Sequence, residues 1–203
     1  MTLSLRDLAE RHSKGNDPRT KLSAPGIYEL YDHYFAALRD RPLALLELGV
    51  AAGESLKTFG TYFEHGTIVG VDIEDPGIDL SSYPNVRVEV CDQRNAARLA
   101  EVCTTHAPNG FDIIIDDASH FGISSLMSYN ALFPFLNAGG LYLVEDWATG
   151  YWTDWPDGEN FSRSAQQPRA ISRKREYRPT TSAWLDSSNT WSMKWRATEF
   201  VPV

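Results

Sequence analysis

The chain has 203 residues, of which 42% are hydrophobic and 23% are charged, as expected for a globular domain with a sizeable core. A net charge of −8 argues against nucleic acid or an anionic membrane as a partner. Since no apolar run approaches the roughly 20 residues of a spanning helix and the charged N-terminus lacks a signal-peptide pattern, we expect a cytoplasmic protein.

Apolar residues recur along most of the chain with either helical or strand-like spacing. Residues 26–40 have the helical spacing, so we expect a helical N-terminal lead-in over residues 1–40. Short continuous apolar runs are typical of strands buried on both faces of a parallel sheet. The predicted strands are residues 43–50, 67–73, 85–90, 111–117 and 140–146. The predicted helices between them are residues 54–64, 93–106 and 123–136.

This alternation predicts the α/β class, with right-handed crossovers and a Rossmann-like, doubly wound, mostly parallel sheet. We expect that core over residues 41–155 and an irregular C-terminal segment over residues 156–203. Cys91 and Cys103 have no metal-type spacing, so we expect free thiols in a reducing compartment.

A glycine turn follows the first strand in "ELGVAAG". Gly49 and Gly53 would let a ligand approach the backbone and the start of the next helix. Asp72 and Asp92 end the next two strands and could bind the ribose and the adenine of a nucleoside-containing cofactor. A tight turn, with both aspartates as caps, is the competing interpretation.

Acidic residues also end the last two strands, in "FDIIIDDASH" and "GGLYLVEDW". The carboxyl ends of parallel strands form the ligand-binding edge of such sheets, so we expect these acidic residues to lie at a binding site: Asp116, Asp117, Glu145 and Asp146. Asp116 is expected to brace the turn or to contact a cofactor rather than to bind metal.

The chain resembles class I S-adenosylmethionine-dependent methyltransferases, and more narrowly the macrolide-sugar O-methyltransferases of the mycinamicin and tylosin type. The resemblance rests on "LELGV", "TIVGVDI", "CDQ", "IIIDDASH" and "GGLYLVEDW", within residues 14–177. It implies a magnesium-dependent methyl transfer from S-adenosylmethionine to a hydroxyl of a sugar or glycoside, and a homo-oligomer. Its site residues would be His120 as general base, Asp117, Glu145 and Asp146 for Mg²⁺, and Glu47, Gly49, Asp72, Asp92 and Gln93 for the cofactor.

His120 lies one helical turn beyond Asp117, where it could face an acceptor hydroxyl. Imidazole has an ordinary pKa of about 6.5, which suits a general base. A helix-capping or first-turn role is the alternative for His120, and we assign such structural roles to His12, His33, His65 and His106. The aromatic stretch 147–155 could form a wall for sugar stacking or pack as a lid.

Two other functions compete with methyl transfer. A nicotinamide-dependent oxidoreductase could use the same scaffold, but Ala51 replaces the second glycine of the dinucleotide fingerprint, and hydride transfer needs no carboxylate cluster. A cofactor-binding protein that has lost turnover is the second alternative.

The C-terminal segment favours that second alternative, because residues 180–195 have neither helical nor strand periodicity. A shifted reading frame, starting near residue 179, would restore a helical pattern there. On that hypothesis the sheet lacks its last strands, residues 140–145 are an exposed edge, and residues 163–203 pack without a regular core.

Overall fold

The structure is a computed structural model that describes residues 3–13, 20–24 and 26–147, together with the backbone of residues 192–195. The α-helices of these residues are α1 (Leu5–His12), α2 (Ile27–Phe35), α3 (Glu54–Tyr62), α4 (Ala96–His106) and α5 (Gly122–Leu132). Short 3-10 helices are Lys21–Ser23, Ala36–Leu38 and Phe133–Phe135. The strands are β1 (Ala44–Leu48), β2 (Thr67–Asp72), β3 (Val86–Val90), β4 (Phe111–Asp116), β5 (Leu136–Val144) and β6 (Ser192–Trp195).

The described strands form one sheet in the order β3-β2-β1-β4-β5-β6. Strands β1 to β5 are parallel to their neighbours, and β6 runs antiparallel to β5. The strand order reverses at β1, where the chain leaves toward β2 on one side and β4 lies on the other. The crevice above such a switch point is where ligands bind in open α/β sheets.

Alternate residues of the central strands bury their side chains on opposite faces of the sheet. Leu45 and Ile113 face a cluster with α1, α2 and α3, whereas Leu46 and Ile114 face a second cluster with α4 and α5. This period-two alternation with both faces covered is typical of parallel sheets. The predicted doubly wound sheet is therefore confirmed.

Local sequence determines where several helices begin and end. Ser4 and Asp7 form a reciprocal capping box at the start of α1, a helix that the apolar spacing of residues 26–40 did not reveal. The Asn95 side chain accepts the Arg98 N–H at the start of α4. Pro134 lies in the 3-10 turn that follows α5, so β5 begins at Leu136, four residues before the predicted start.

The predicted exposed edge of the sheet is wrong over Leu141–Val144, because the backbone of β6 pairs with those residues. Backbone hydrogen bonds can cover an edge without any periodicity in the side chains. The expectations for the rest of residues 148–203, including the reading-frame hypothesis, concern positions outside the described residues and stay predictions. Among the helices that the structure does describe, none is both long and apolar enough to cross a membrane.

Candidate active site

A cleft of about 740 Å³ opens above the carboxyl ends of the central strands. Eight of the eleven predicted site residues line it: Gly49, Asp72, Asp92, Gln93, Asp117, His120, Glu145 and Asp146. The other three, Glu47, Gly53 and Asp116, lie outside the lining. The fold therefore brings the glycine turn and the acidic strand ends to one place, as the sequence predicted.

The glycine turn is pressed against the end of β4. Gly49 has a φ of +86°, and a Cβ on it would overlap the carbonyl oxygen of Asp117. Its N–H donates to the Val71 carbonyl at 2.8 Å. Only glycine combines this left-handed backbone with so close an approach, so the residue is required by geometry whether or not a cofactor is bound.

Asp72 braces this turn. One carboxylate oxygen, Oδ2, accepts the N–H groups of Val50 at 2.8 Å and Ala51 at 3.2 Å, while Oδ1 accepts the Ile73 N–H at 2.7 Å. The capping role considered from the sequence is thus present. Because Asp72 also lines the cleft, a ribose contact stays a prediction beside it.

Asp92 lies at the same edge and is paired with Arg94, which also lines the cleft. The Arg94 guanidinium donates to both Asp92 oxygens, with an Nη2–Oδ2 distance of 2.6 Å. These hydrogen bonds lower the pKa of Asp92 to about 2. An adenine amino group would therefore meet a carboxylate that already has a partner.

Asp116 is buried behind the cleft and connects α5 to the neighbouring loop. It accepts the Ser128 hydroxyl at 2.6 Å and the Gln93 amide at 3.3 Å. The Gln93 carbonyl oxygen in turn accepts the Ser119 N–H at 3.1 Å. Burial raises the pKa of Asp116. These contacts match the bracing role that the sequence analysis gave as one of two options.

The acidic cluster contains a cation that the sequence analysis missed. The ammonium of Lys21 pairs with Asp117, lies 2.8 Å from Glu145 Oε1 and 3.5 Å from Glu47 Oε1. The Tyr31 hydroxyl donates to the same Glu145 oxygen. Both residues come from the N-terminal lead-in. Nothing in the sequence pattern of that segment indicates that its side chains pair with carboxylates so much later in the chain.

Burial changes the protonation of the groups in this cluster. Burial opposes the charged form of Lys21, yet its carboxylate neighbours, Asp117 foremost, hold its pKa well above the ordinary value. Burial raises the pKa of Glu47 to about 7, although Lys21 and the Ser55 hydroxyl act to lower it. Burial also raises the pKa of Glu145. These two glutamates therefore hold protons more readily than ordinary carboxyl groups, and a metal ion that bound beside them would displace such protons.

His120 faces two of the predicted metal ligands. Its Nε2 lies 3.7 Å from Asp146 Oδ2 and 4.0 Å from Asp117 Oδ1, and one ligand atom from each of the three residues fits within a 4.8 Å group. His120 and Asp146 have left-handed φ values of 56° and 51°. Such backbone conformations cost about 1–3 kcal/mol each and cluster at functional sites.

The structure also bears on the structural roles that were considered for His120 and His106. The N-cap of α5 is Phe121, so His120 precedes the cap and lies outside the first turn. His106, which was assigned a structural role, lies 2.7 Å from Glu89, and neither residue lines the cleft. Of the predicted aromatic wall, only Trp147 falls within the described residues, and it is half exposed.

The donor set of this site suits a hard divalent cation. Asp117 and Asp146 supply carboxylate oxygens, the ligands that Mg²⁺ prefers. Glu145, the third predicted ligand, lies outside the 4.8 Å group and is paired instead with Lys21 and Tyr31. The residues therefore fit Mg²⁺ at Asp117 and Asp146, with Glu145 directly behind them.

The sheet and its cleft define the class I methyltransferase fold. The methyltransferase MycE of mycinamycin biosynthesis, solved with Mg, SAH and mycinamycin VI, superposes with a TM-score of 0.65 at 28% identity, over 82% of this chain and 45% of that chain. An O-methyltransferase from Bacillus cereus in complex with SAH shares the fold at 15% identity and a TM-score of 0.56, over 81% of this chain and 80% of that one.

Curated relatives confirm the narrower resemblance to sugar O-methyltransferases. A rhamnosyl tetracenomycin-C 2'-O-methyltransferase from Streptomyces olivaceus is 40% identical over 129 residues, and mycinamicin VI 2''-O-methyltransferase from Micromonospora griseorubida is 36% identical over 131 residues. These matches cover 60% of this chain but 33% and 31% of the relatives. The chain thus spans about a third of the length of the curated relatives it matches. No protein-family model matches it.

Proposed function

We propose that this chain is an S-adenosylmethionine-dependent O-methyltransferase that acts on a sugar hydroxyl of a glycosylated natural product and uses Mg²⁺. The observation that carries the proposal is the position of His120. Its imidazole faces Asp117 and Asp146 across 4.0 and 3.7 Å, in the cleft that the glycine turn also lines.

The cofactor would lie along the glycine turn. Gly49 lines the cleft, and the Asp72 carboxylate lies beside that turn, where ribose hydroxyls could reach it. Gln93 and Asp92 border the same cleft. Glu47 is fully buried and its pKa is raised to about 7, so near neutral pH it would place only part of a negative charge behind the cofactor, which carries a sulfonium and an ammonium group.

The acceptor hydroxyl would lie between the cofactor and His120. S-adenosylmethionine would supply a methyl group on a sulfonium: as the bond from this carbon to the hydroxyl oxygen formed, the carbon–sulfur bond would break and leave its electron pair on the sulfur of the product. The hydroxyl proton passes to Nε2 of His120, a transfer that contributes typically about 10²–10⁴-fold to rate. Asp117 and Asp146 would hold Mg²⁺, with Glu145 behind them, and the ion would orient the sugar hydroxyls and make them more acidic.

The substrate class follows from the relatives, whose names describe O-methylation of rhamnosyl and olivosyl groups on polyketide products and of mycinamicin VI. We expect a deoxysugar glycoside as the acceptor of this chain as well, neither nucleic acid nor membrane as a partner, and a homo-oligomer. We also expect the chain to act in the cytoplasm, as the sequence predicted.

A methyl-transfer assay tests the proposal. The chain is incubated with methyl-labelled S-adenosylmethionine and a panel of deoxysugar glycosides, in parallel arms with Mg²⁺ and with EDTA. Label should enter a glycoside only in the Mg²⁺ arm. Calorimetric titration with S-adenosylmethionine and with NAD(H) is run on the same preparation. Binding of NAD(H) alone would support an oxidoreductase, and cofactor binding without turnover on any glycoside would support the non-catalytic alternative.

A further inference from the structure

Lys21 is a buried cation that no part of the proposed reaction uses. Its side chain is 9% exposed and comes from the 3-10 helix Lys21–Ser23, which Thr20 caps by accepting the Leu22 N–H. Burying an ammonium is costly unless several partners compensate it. The three carboxylates around Lys21 supply that compensation, so its position is determined by them.

These carboxylates come from three neighbouring strands. Glu47 lies on β1, Asp117 directly follows β4, and Glu145 directly follows β5. A single ammonium thus connects the ends of all three at the edge where the cleft opens. Without it, the same carboxylates would repel one another and turn apart or take up protons.

On Asp117 and on Glu145, Lys21 contacts one particular carboxylate oxygen. Lys21 engages Oδ2 of Asp117, while Oδ1 of Asp117 is the oxygen that faces His120. On Glu145, Lys21 and the Tyr31 hydroxyl both donate to Oε1. A carboxylate held through one oxygen has its second oxygen oriented, which is how residues behind a metal site tune its ligands.

We propose that Lys21 is a positioning residue for the divalent-cation site, which acts by fixing the orientation of the Asp117 and Glu145 carboxylates. This inference rests on the proposed function, since it assumes that Mg²⁺ binds at Asp117 and Asp146, with Glu145 behind them. The alternative is that the ammonium competes with the metal for the same oxygens. The two views predict opposite effects on metal affinity when the ammonium is removed.

The test measures binding of Mn²⁺, a paramagnetic substitute for Mg²⁺, by the electron paramagnetic resonance of the free ion. The variants are Lys21→Met, which removes charge and donor, and Lys21→Gln, which keeps a donor but removes the charge. Lys57→Met is the matched control, because Lys57 lies on α3 over the Tyr83 ring, 5.8 Å from its centroid. Circular dichroism and urea unfolding identify folded variants, and S-adenosylmethionine affinity is measured on each by calorimetry.

Both Lys21 variants should raise the Kd for Mn²⁺ by roughly 10–100-fold, the usual effect of losing a residue behind a metal ligand. Their S-adenosylmethionine affinity, and the Mn²⁺ affinity of Lys57→Met, should stay close to those of the unmodified chain. An unchanged or lower Kd for Mn²⁺ overturns the positioning role, as does an equal loss of metal and cofactor affinity, which would indicate general loosening. If Lys21→Met does not fold, Lys21→Gln decides. Absence of Mn²⁺ binding by the unmodified chain would instead refute the metal part of the proposed function, and this inference with it.

Discussion

The backbone of Gly49 lies directly against the carbonyl group of Asp117, so that no side-chain atom fits between the turn after β1 and the end of β4. The Asp117 N–H donates to the Leu48 carbonyl at 2.9 Å, which joins the same two segments. The cofactor turn and the acidic cluster are therefore held in one fixed relationship. Catalysis by in-line displacement depends on such positioning, because small misplacements of the reacting atoms are costly.

Gly49→Ala should destabilise the chain and weaken cofactor binding. The left-handed backbone alone costs a non-glycine residue about 1–3 kcal/mol, and the overlap with the Asp117 carbonyl adds strain. Urea unfolding measures the first effect, and calorimetric titration with S-adenosylmethionine measures the second.

Gly77→Ala is the matched control for this variant. Gly77 also has a positive φ, of 59°, but an added Cβ would meet nothing within 4 Å. It should lose only the backbone contribution and keep its cofactor affinity. Equal losses in both variants would show that the contact with Asp117 is unimportant.

Asp117→Asn should remove the magnesium-dependent part of turnover and leave the affinity for S-adenosylmethionine nearly unchanged. An amide is a far weaker ligand for a hard cation than a carboxylate, so the loss should exceed the roughly 10–100-fold typical of residues behind the ligands. The exposed Asp79, changed to Asn, provides the control. Full activity of the unmodified chain in EDTA would contradict the metal assignment.

His120→Ala should lower the turnover rate by roughly 10²–10⁴-fold, the span expected for a general base. The deficit should become smaller as the pH rises, because hydroxide can partly replace the missing base. Rates are measured across a pH series at saturating cofactor, with the exposed His65 changed to Ala in parallel. A change confined to the KM for the sugar would mean that His120 only positions the substrate.

Asp72→Ala should weaken S-adenosylmethionine binding by roughly 10–100-fold, because hydrogen bonds to a charged group contribute about 1.5–3 kcal/mol. The structure adds a second cause, since the Val50 and Ala51 N–H groups would lose their acceptor. Cofactor affinity, measured by calorimetry, is compared with that of Asp75→Ala, which changes an exposed aspartate that accepts the nearby Gly77 N–H. Unchanged affinity would leave Asp72 with its bracing role alone.

The order of helices and strands could be predicted from the sequence because it depends on short-range patterns. Continuous apolar runs such as the one in β4 require burial on both faces, and the alternation of strands with helices restricts the sheet to parallel crossovers. The same logic placed Asp117 and Asp146 at one edge, since parallel strands share their carboxyl ends. The predicted start of β5 was four residues late, an error at a boundary where local chemistry at Pro134 decides. The helical lead-in was expected over residues 1–40, but the bounds of α1 within it depend on the capping box at Ser4.

Only the tertiary structure decided which partner each acidic residue has. The sequence determined that carboxylates and an imidazole gather where the strands end, but side-chain pairing depends on distances between segments far apart in the chain. Lys21 and Tyr31 reach Glu145 because the N-terminal helices pack on the face of the sheet beneath the cleft. The pairing of β6 with β5 likewise arises from backbone hydrogen bonds, which any sequence without proline can make and which no side-chain pattern announces.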